Sequence, residues 1–294
     1  MEKILTENEN GISDRSSNMG VETQRRNPVP IETKRSSKGP RLVESVNALP
    51  LEEFINRYIP PRIREVSISV PAQTSTIFDQ GRYGNYSIEI HSSSSIPKKD
   101  LESCFLLVKL TSSEMYKHST TGWSPVKKKN EMKLLDMRYM LLVRSTSHTT
   151  AGTTELEPQK SPDKENLNPE TGERELGGFL SFMVTYEDEI EVLYCYEIHL
   201  ATELQHRGLG KILLGYFEEI GRNIGLRKAM LTVFKANGLA IRFYERLGYE
   251  EDEFSPKPMK LRNGNIREYD YMILSKNLPR TQAAKYDTNQ LDVV

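Results

Sequence analysis

Cysteine is scarce: Cys104 and Cys195 are the only two in 294 residues, and no CxxC spacing joins them. That excludes a disulfide framework and a cysteine zinc site, and it fits a reducing compartment. Charge of one sign is also lacking. The formal balance is -1 at neutral pH, so nothing draws the whole chain towards nucleic acid or an anionic membrane. No apolar run approaches the roughly 18 residues of a membrane span, and the opening MEKILTENENG has no apolar core of a secretory signal. These absences lead us to expect a monomeric protein of the cytoplasm and nucleus, without metal, direct nucleic-acid contact or membrane contact.

Aromatic residues are missing from two stretches, 1–48 and 145–178. Hydrophobic residues make up only 37% of the chain, and segments this polar cannot bury enough apolar area to offset their ordering entropy. We therefore expect a disordered tail over 1–48. Seven basic residues stand against two acidic ones between Arg15 and Arg41, which suits either a nuclear-import signal or a plain solvated tail. The stretch 145–178 is expected to be a disordered insertion in a hairpin, because strand-like RYMLLVR and GGFLSFMVTY flank it. Residues 49–280 then form one domain, and 281–294 a polar tail.

Within that domain, LPLEEFINRYI has a helical pattern and YSIEIHS alternates as a strand. Pro97 suits a helix first turn, after which Leu101, Cys104, Phe105 and Val108 share one face. A short helix is expected near 127–136, and strands near 138–144, 178–186 and 191–200. Another helix should run from Gly210 to Gly225, whose glycine marks a C-terminus. Strand KAMLTVF, helix GLAIRFYERLGY and strand YDYMILS follow. Strands alternating with helices imply an α/β domain with a mixed central sheet flanked by helices.

Between the alternating VLYCYEIHL and the helix lies Gln205-His206-Arg207-Gly208-Leu209-Gly210. A P-loop needs GxxxxGK[ST], but Ile212 follows Lys211 and the first glycine is missing. A dinucleotide fingerprint from Gly208 would have Leu213 at its third glycine, and no acidic residue stands about 20 positions on. A [RQ]xxGxG turn remains, in which amides at a helix N-terminus hold a pyrophosphate that glycine lets approach closely.

The turn, then LTVFKAN, then FYERLGY, in this order and spacing, resembles the GNAT acetyltransferase superfamily. VLYCYEIHL, LTVFKAN, EEDEFSP and MYKHSTTGW narrow the likeness to its histone-specific N-terminal (NatD-type) acetyltransferases, over roughly residues 106–275 without the insertion. The resemblance implies the GNAT fold and acetyl-CoA as cosubstrate. It also implies transfer to the α-amino group of histone H4 and histone H2-A tails that begin Ser-Gly-Arg-Gly. Arg207, Gly208, Leu209, Gly210, Lys211 and Ile212 would hold the pyrophosphate. The backbones of His199 and Leu200, with Asn237, would hold the rest of the cofactor. Tyr116, Tyr194, Tyr196, Thr232 and Tyr271 would line the peptide slot, unless they are plain core residues.

For catalysis the likeness points to Glu197, with Tyr196 and with Tyr244 near the departing sulfur. A carboxylate on an otherwise apolar strand is costly without a partner or a task, so Glu197 is either the proton acceptor or an ion-paired residue. An α-amine titrates at about 7.7–8.0 and a lysine amine at about 10.4, a difference of about 3.4 kcal/mol, so only a modest base is required. Thr185 stands where the family has a second carboxylate, and Glu187, Asp188 or Glu189 could replace it. Cys195, expected on the same face as Glu197, has no histidine placed to activate it. Glu250, Glu251, Asp252 and Glu253 could attract a basic peptide or simply form a solvated face. Two rivals stay open: a GNAT lysine or small-amine acetyltransferase, and a non-catalytic acyl-CoA-binding or histone-binding module.

Overall fold

The computed structural model describes residues 41–64, 67–71, 83–144 and 174–279. Three helices, α1 (Leu42–Asn47), α2 (Leu51–Tyr58) and α3 (Pro61–Arg64), precede strands β1 (Ser67–Pro71) and β2 (Tyr83–Ser92). Helices α4 (Lys98–Lys117) and α5 (Pro125–Glu131) lead to β3 (Arg138–Arg144), followed by β4 (Glu175–Glu187) and β5 (Ile190–Leu200). Then come α6 (Leu209–Ile224), β6 (Lys228–Phe234), α7 (Gly238–Arg246) and β7 (Glu250–Glu251). Two short strands, β8 (Met259–Lys260) and β9 (Ile266–Arg267), form a hairpin before β10 (Tyr271–Asn277).

The main sheet runs β1-β2-β3-β4-β5-β6-β10-β7. Its one parallel pair is β5 with β6, which makes it the expected mixed sheet. Both faces are covered, and β3 shows why. Met140 and Leu142 point into a core shared with α1, α2, α3 and α6. Tyr139, Leu141 and Val143 point into a second core under α4 and α5. On α4, Cys104, Phe105 and Val108 form the buried stripe while Leu106 and Leu110 face outward, as a 3.6-residue period requires. The α6 helix ends at Gly225, whose φ of 96° lets the Leu226 N–H reach back to the Gly221 carbonyl at 2.9 Å.

Three boundaries depart from expectation. Pro97 is the residue before α4, capping position included, and does not lie within its first turn. The strand after the insertion begins at Glu175, so the insertion ends earlier than 178. The tail boundary at 48 is also wrong: 42–47 is the helix α1. Residues 1–40, the bulk of the insertion at 145–173, and 281–294 lie outside the described residues.

Helix α1 is held by tertiary contacts that its sequence does not announce. Val43 and Val46 are buried, and the buried Arg138 guanidinium donates to the Val46 carbonyl at 3.1 Å and to Asn47 Oδ1 at 3.0 Å. Burial pushes that guanidinium down to about 10. Asn47 in turn donates to the Val184 carbonyl at 2.9 Å. Val46→Ala should lower the unfolding free energy by about 1–3 kcal/mol in denaturant titration; a tail without packing would give no change.

Candidate functional site

Strand β5 positions the site through two irregularities. Its ladder with β4 runs the whole strand, from Gly178↔Leu200 to Glu187↔Ile190, but the register slips between Ser181↔Glu197 and Phe182↔Cys195. Tyr196 is the extra residue of this bulge. A single inserted residue reverses which face the following side chains occupy. Tyr196 packs against the α4 core, Cys195 and Ile198 against the α6 core, and Glu197 bonds to α4 and α5. The expectation that Cys195 shares a face with Glu197 is therefore overturned. The second irregularity lies on the other edge: the parallel ladder with β6 ends at Cys195↔Leu231. Beyond Cys195 the two strands part, and the notch leads to the start of α6.

Glu197 is the centre of a buried hydrogen-bonded cluster, 9% exposed. One carboxylate oxygen accepts from Lys128 Nζ at 2.8 Å and from the Tyr116 hydroxyl at 3.4 Å. The other lies 2.6 Å from His199 Nε2, which fixes that nitrogen as the protonated one. On its far side, His199 Nδ1 is 2.6 Å from the Thr111 hydroxyl. Burial alone would raise the Glu197 carboxyl, yet the Lys128 charge and the His199 bond outweigh it and hold it well below the usual carboxylate range. Burial would lower Lys128, but Glu197 reverses that and holds it above the ordinary lysine value. Glu197 is therefore ion-paired in the structure, with Lys128 at 2.8 Å.

The tyrosines surround this cluster. Tyr116 meets Phe234 edge-on at 4.9 Å and Trp123 at 5.6 Å. Tyr194 shares a short hydrogen bond with Thr232, and its ring lies 5.4 Å from that of Tyr196. Burial, then the Glu131 and Glu187 carboxylates, push the Tyr196 phenol up to about 12. Glu187 also acts on Tyr194, after burial and Thr232. Of the three hairpin carboxylates it is the one whose charge acts on these two tyrosines, whereas Asp188 and Glu189 form the turn with positive φ. Thr185, opposite Val192, is buried. Tyr271 is registered opposite Phe234 on β6, so it faces the same side as Thr232. Tyr244 comes from the other face, 6.0 Å from Tyr249; burial first, then Cys195 and Glu197, raise its phenol.

The glycine turn is open. Gly208 is exposed with φ of 79°, and a Cβ there would meet nothing within 4 Å. It precedes α6 without a side-chain cap, and the first intrahelical bond runs from the Ile212 N–H to the Gly208 carbonyl at 3.1 Å. The amides before Ile212 therefore have no acceptor within the helix, which suits a bound anion. Exposed Lys211 stands beside them, while Leu209 anchors the turn in the core. Gly210 has a different reason to be small, since a Cβ would come within 3.2 Å of the Phe243 ring.

Other expected residues have local tasks. Asn237 Oδ1 accepts from the Ala240 N–H at 3.1 Å and so caps α7. The Leu200 carbonyl accepts from the Gln205 amide at 3.1 Å. His199, expected to serve through its backbone, offers its imidazole to Glu197. The acidic run lies at the sheet edge, with β10 and β6 between β7 and β5. Its Asp252 is buried against Lys228 at 2.9 Å and Glu251 pairs with Lys257 at 3.0 Å, so it serves the fold. Lys128, Thr111 and Glu131 were missed. The signal for Lys128 was its place four residues before core Met132, on the inward stripe of a short lysine-rich helix.

The family model described as Acetyltransferase (GNAT) family matches residues 146–249. N-alpha-acetyltransferase 40 of Saccharomyces cerevisiae is 34% identical over 101 residues, covering 28% of this chain and 35% of that protein. The match thus spans about a third of that relative's length. Similar solved structures include Arabidopsis thaliana NAA60 in complex with a bisubstrate analogue, at 15% identity and a TM-score of 0.41 over 65% of this chain and 98% of that one. Another is PaiA N-acetyltransferase of Thermoplasma acidophilum in complex with coenzyme A, at 18% identity and a TM-score of 0.38 over 65% and 99%.

The depressed carboxyl of Glu197 has a consequence for acid stability. A group with a lowered folded pKa contributes stability above its unfolded value, about 4.3 for glutamate, and loses it as pH falls through the folded value. Glu197→Gln should be destabilised at pH 7, and its gap to the unsubstituted protein should narrow progressively as pH falls below about 4. A gap in unfolding free energy that stays constant from pH 7 to pH 2 would contradict the pairing.

Proposed function

We propose, for a chain that belongs to the GNAT superfamily of acetyltransferases, that it moves acetyl from acetyl-CoA to the N-terminal serine amine of histone H4 and histone H2-A. One juxtaposition carries the reading. An exposed glycine turn, whose amides before Ile212 have no acceptor within the helix, follows β5 after a short 3-10 turn at Thr202–Leu204. Strand β5 carries a buried carboxylate bonded to Lys128, Tyr116 and His199. Amides of the Gly208–Ile212 turn, with Lys211, would hold the pyrophosphate, and the β5 edge beyond Cys195 would receive the extended arm. When bound, acetyl-CoA supplies the activated acetyl group.

The chain's own groups then act on the acceptor amine. Tyr116, Tyr194, Tyr196, Thr232 and Tyr271 confine the peptide end, their rings walling the slot and their hydroxyls meeting its polar backbone. Glu197 orients the nitrogen by accepting one of its N–H bonds and opposes the positive charge that develops there as the C–N bond forms. Its charge is too well stabilised to keep the proton, which passes to solvent. Tyr244, approaching from the opposite face, would meet the departing sulfur.

The weakness of this base favours an α-amine over a lysine. Near pH 7 roughly a tenth of α-amines are already neutral, against well under a thousandth of lysine amines. The carboxylates of Glu131, Glu187 and Glu197 face this region with Lys128 as counter-charge, which suits a basic peptide beginning Ser-Gly-Arg-Gly. Such a substrate would place the enzyme in the cytoplasm and nucleus. Incubation with acetyl-CoA and a Ser-Gly-Arg-Gly-Lys peptide, with free or blocked N-terminus, tests the assignment by mass spectrometry. Acetyl on the free α-amine alone is expected. Acetyl on lysine would transfer the assignment to the lysine class, and no transfer to either peptide would leave a binding module.

A further inference from the structure

Lys128 has entered the chemistry so far only as a counter-charge, yet its ammonium is fully engaged. It is 4% exposed. Its nitrogen lies 2.8 Å from Glu197 Oε1, 2.8 Å from the Tyr116 hydroxyl and 3.0 Å from both Glu131 oxygens. An ammonium has three N–H donors, and three partners take them. Burying this charge is expensive, and an apolar side chain on the same inward stripe of α5 would pack at lower cost. Two of its three partners, Glu197 and Tyr116, are residues of the proposed acetyl-transfer site, and the third, Glu131, lies one turn along the same helix.

From this geometry, and resting on the acetyltransferase reading above, we infer that Lys128 is the positioning residue of the site. It locks the Glu197 carboxylate and the Tyr116 hydroxyl in one orientation and keeps the carboxylate ionised. The other titratable groups around Glu197 are Tyr116 from α4, Glu131 from α5, Tyr139 from β3, Cys195 and His199 from β5, and Tyr244 from α7. Among these, Lys128 is the cation at hydrogen-bond distance whose charge does not depend on a histidine proton. Without it the buried carboxyl would take up a proton far more readily.

The test compares the unsubstituted enzyme with Lys128→Met and Lys128→Arg, using the free Ser-Gly-Arg-Gly-Lys peptide from pH 5.5 to 9. Lys128→Met should lower kcat roughly 10–100-fold with the KM for acetyl-CoA unchanged. This variant and the unsubstituted enzyme both lose rate below about pH 8 as the substrate α-amine protonates. Lys128→Met should add a second acid-side ionisation to that common limb, and Lys128→Arg should remove it. Unchanged kcat and a limb in Lys128→Met identical to that of the unsubstituted enzyme would overturn the inference. A second measurement needs neither activity nor a lysine variant. In the unsubstituted protein labelled with 13C-glutamate, the Glu197 carboxyl signal, assigned by its loss in Glu197→Gln, should not titrate above about pH 4. A midpoint at pH 5 or higher would overturn the inference. Absence of acetyl transfer combined with a non-titrating Glu197 would sink the acetyltransferase reading and leave the Lys128–Glu197 link standing.

Discussion

The bulge at Tyr196 and the parting of β5 from β6 after Cys195 form one constraint on which the rest of the site depends. Without the extra residue, Glu197 would follow Cys195 into the core beneath α6, far from Lys128 and Tyr116. Without the parting, the edge of β5 that leads to the glycine turn would be covered by β6. Bulges recur where a strand must re-aim a side chain, and here the re-aimed side chain is the one with chemistry. The helix that follows begins with Gly208 in a left-handed conformation and open to solvent, so the strand irregularity and the exposed glycine turn lie in one short chain segment.

The electrostatics of the cluster limit what Glu197 can do. A carboxylate bonded to an ammonium and an imidazole N–H is a fixed negative charge in a low-dielectric setting, where such a charge acts strongly. Fixing it costs desolvation of both partners, and makes it poor at holding a proton. The proposed function matches that trade to a nucleophile with little need of a base, an α-amine. It gives Glu197 a role of orientation and charge compensation that differs from proton acceptance in the pH dependence it imposes.

How much was legible in the sequence varied with how local the cause was. Strands β3 and β6 and helix α6 were readable because periodicity and a C-terminal glycine are local signals. Helix α1 was not, since its six residues owe their place to Arg138 and to Val46 packing in the core. The bulge was invisible because YCYEIHL alternates without a break, and only pairing with β4 shows that Tyr196 is supernumerary. Lys128 sat inside a run of three lysines that reads as a solvated face, although its phase relative to Met132 pointed inward. Gly210 was legible as a small residue, and the structure adds a neighbour that sequence spacing does not reveal, the Phe243 ring, which a Cβ there would approach to 3.2 Å. Asn237 likewise has a sufficient local task as the cap of α7.

The central claim is that the amides around Gly208 hold the pyrophosphate of acetyl-CoA. Isothermal titration of acetyl-CoA into the unsubstituted protein, Gly208→Ala and Gly215→Ala measures it directly. Gly215, also free of contacts within 4 Å, lies further along α6 and controls for helix effects. The account predicts saturable binding that is weakened about tenfold or more by Gly208→Ala, roughly 1.4 kcal/mol, and left unchanged by Gly215→Ala. Equal affinity in all three proteins, or no binding at all, would contradict it.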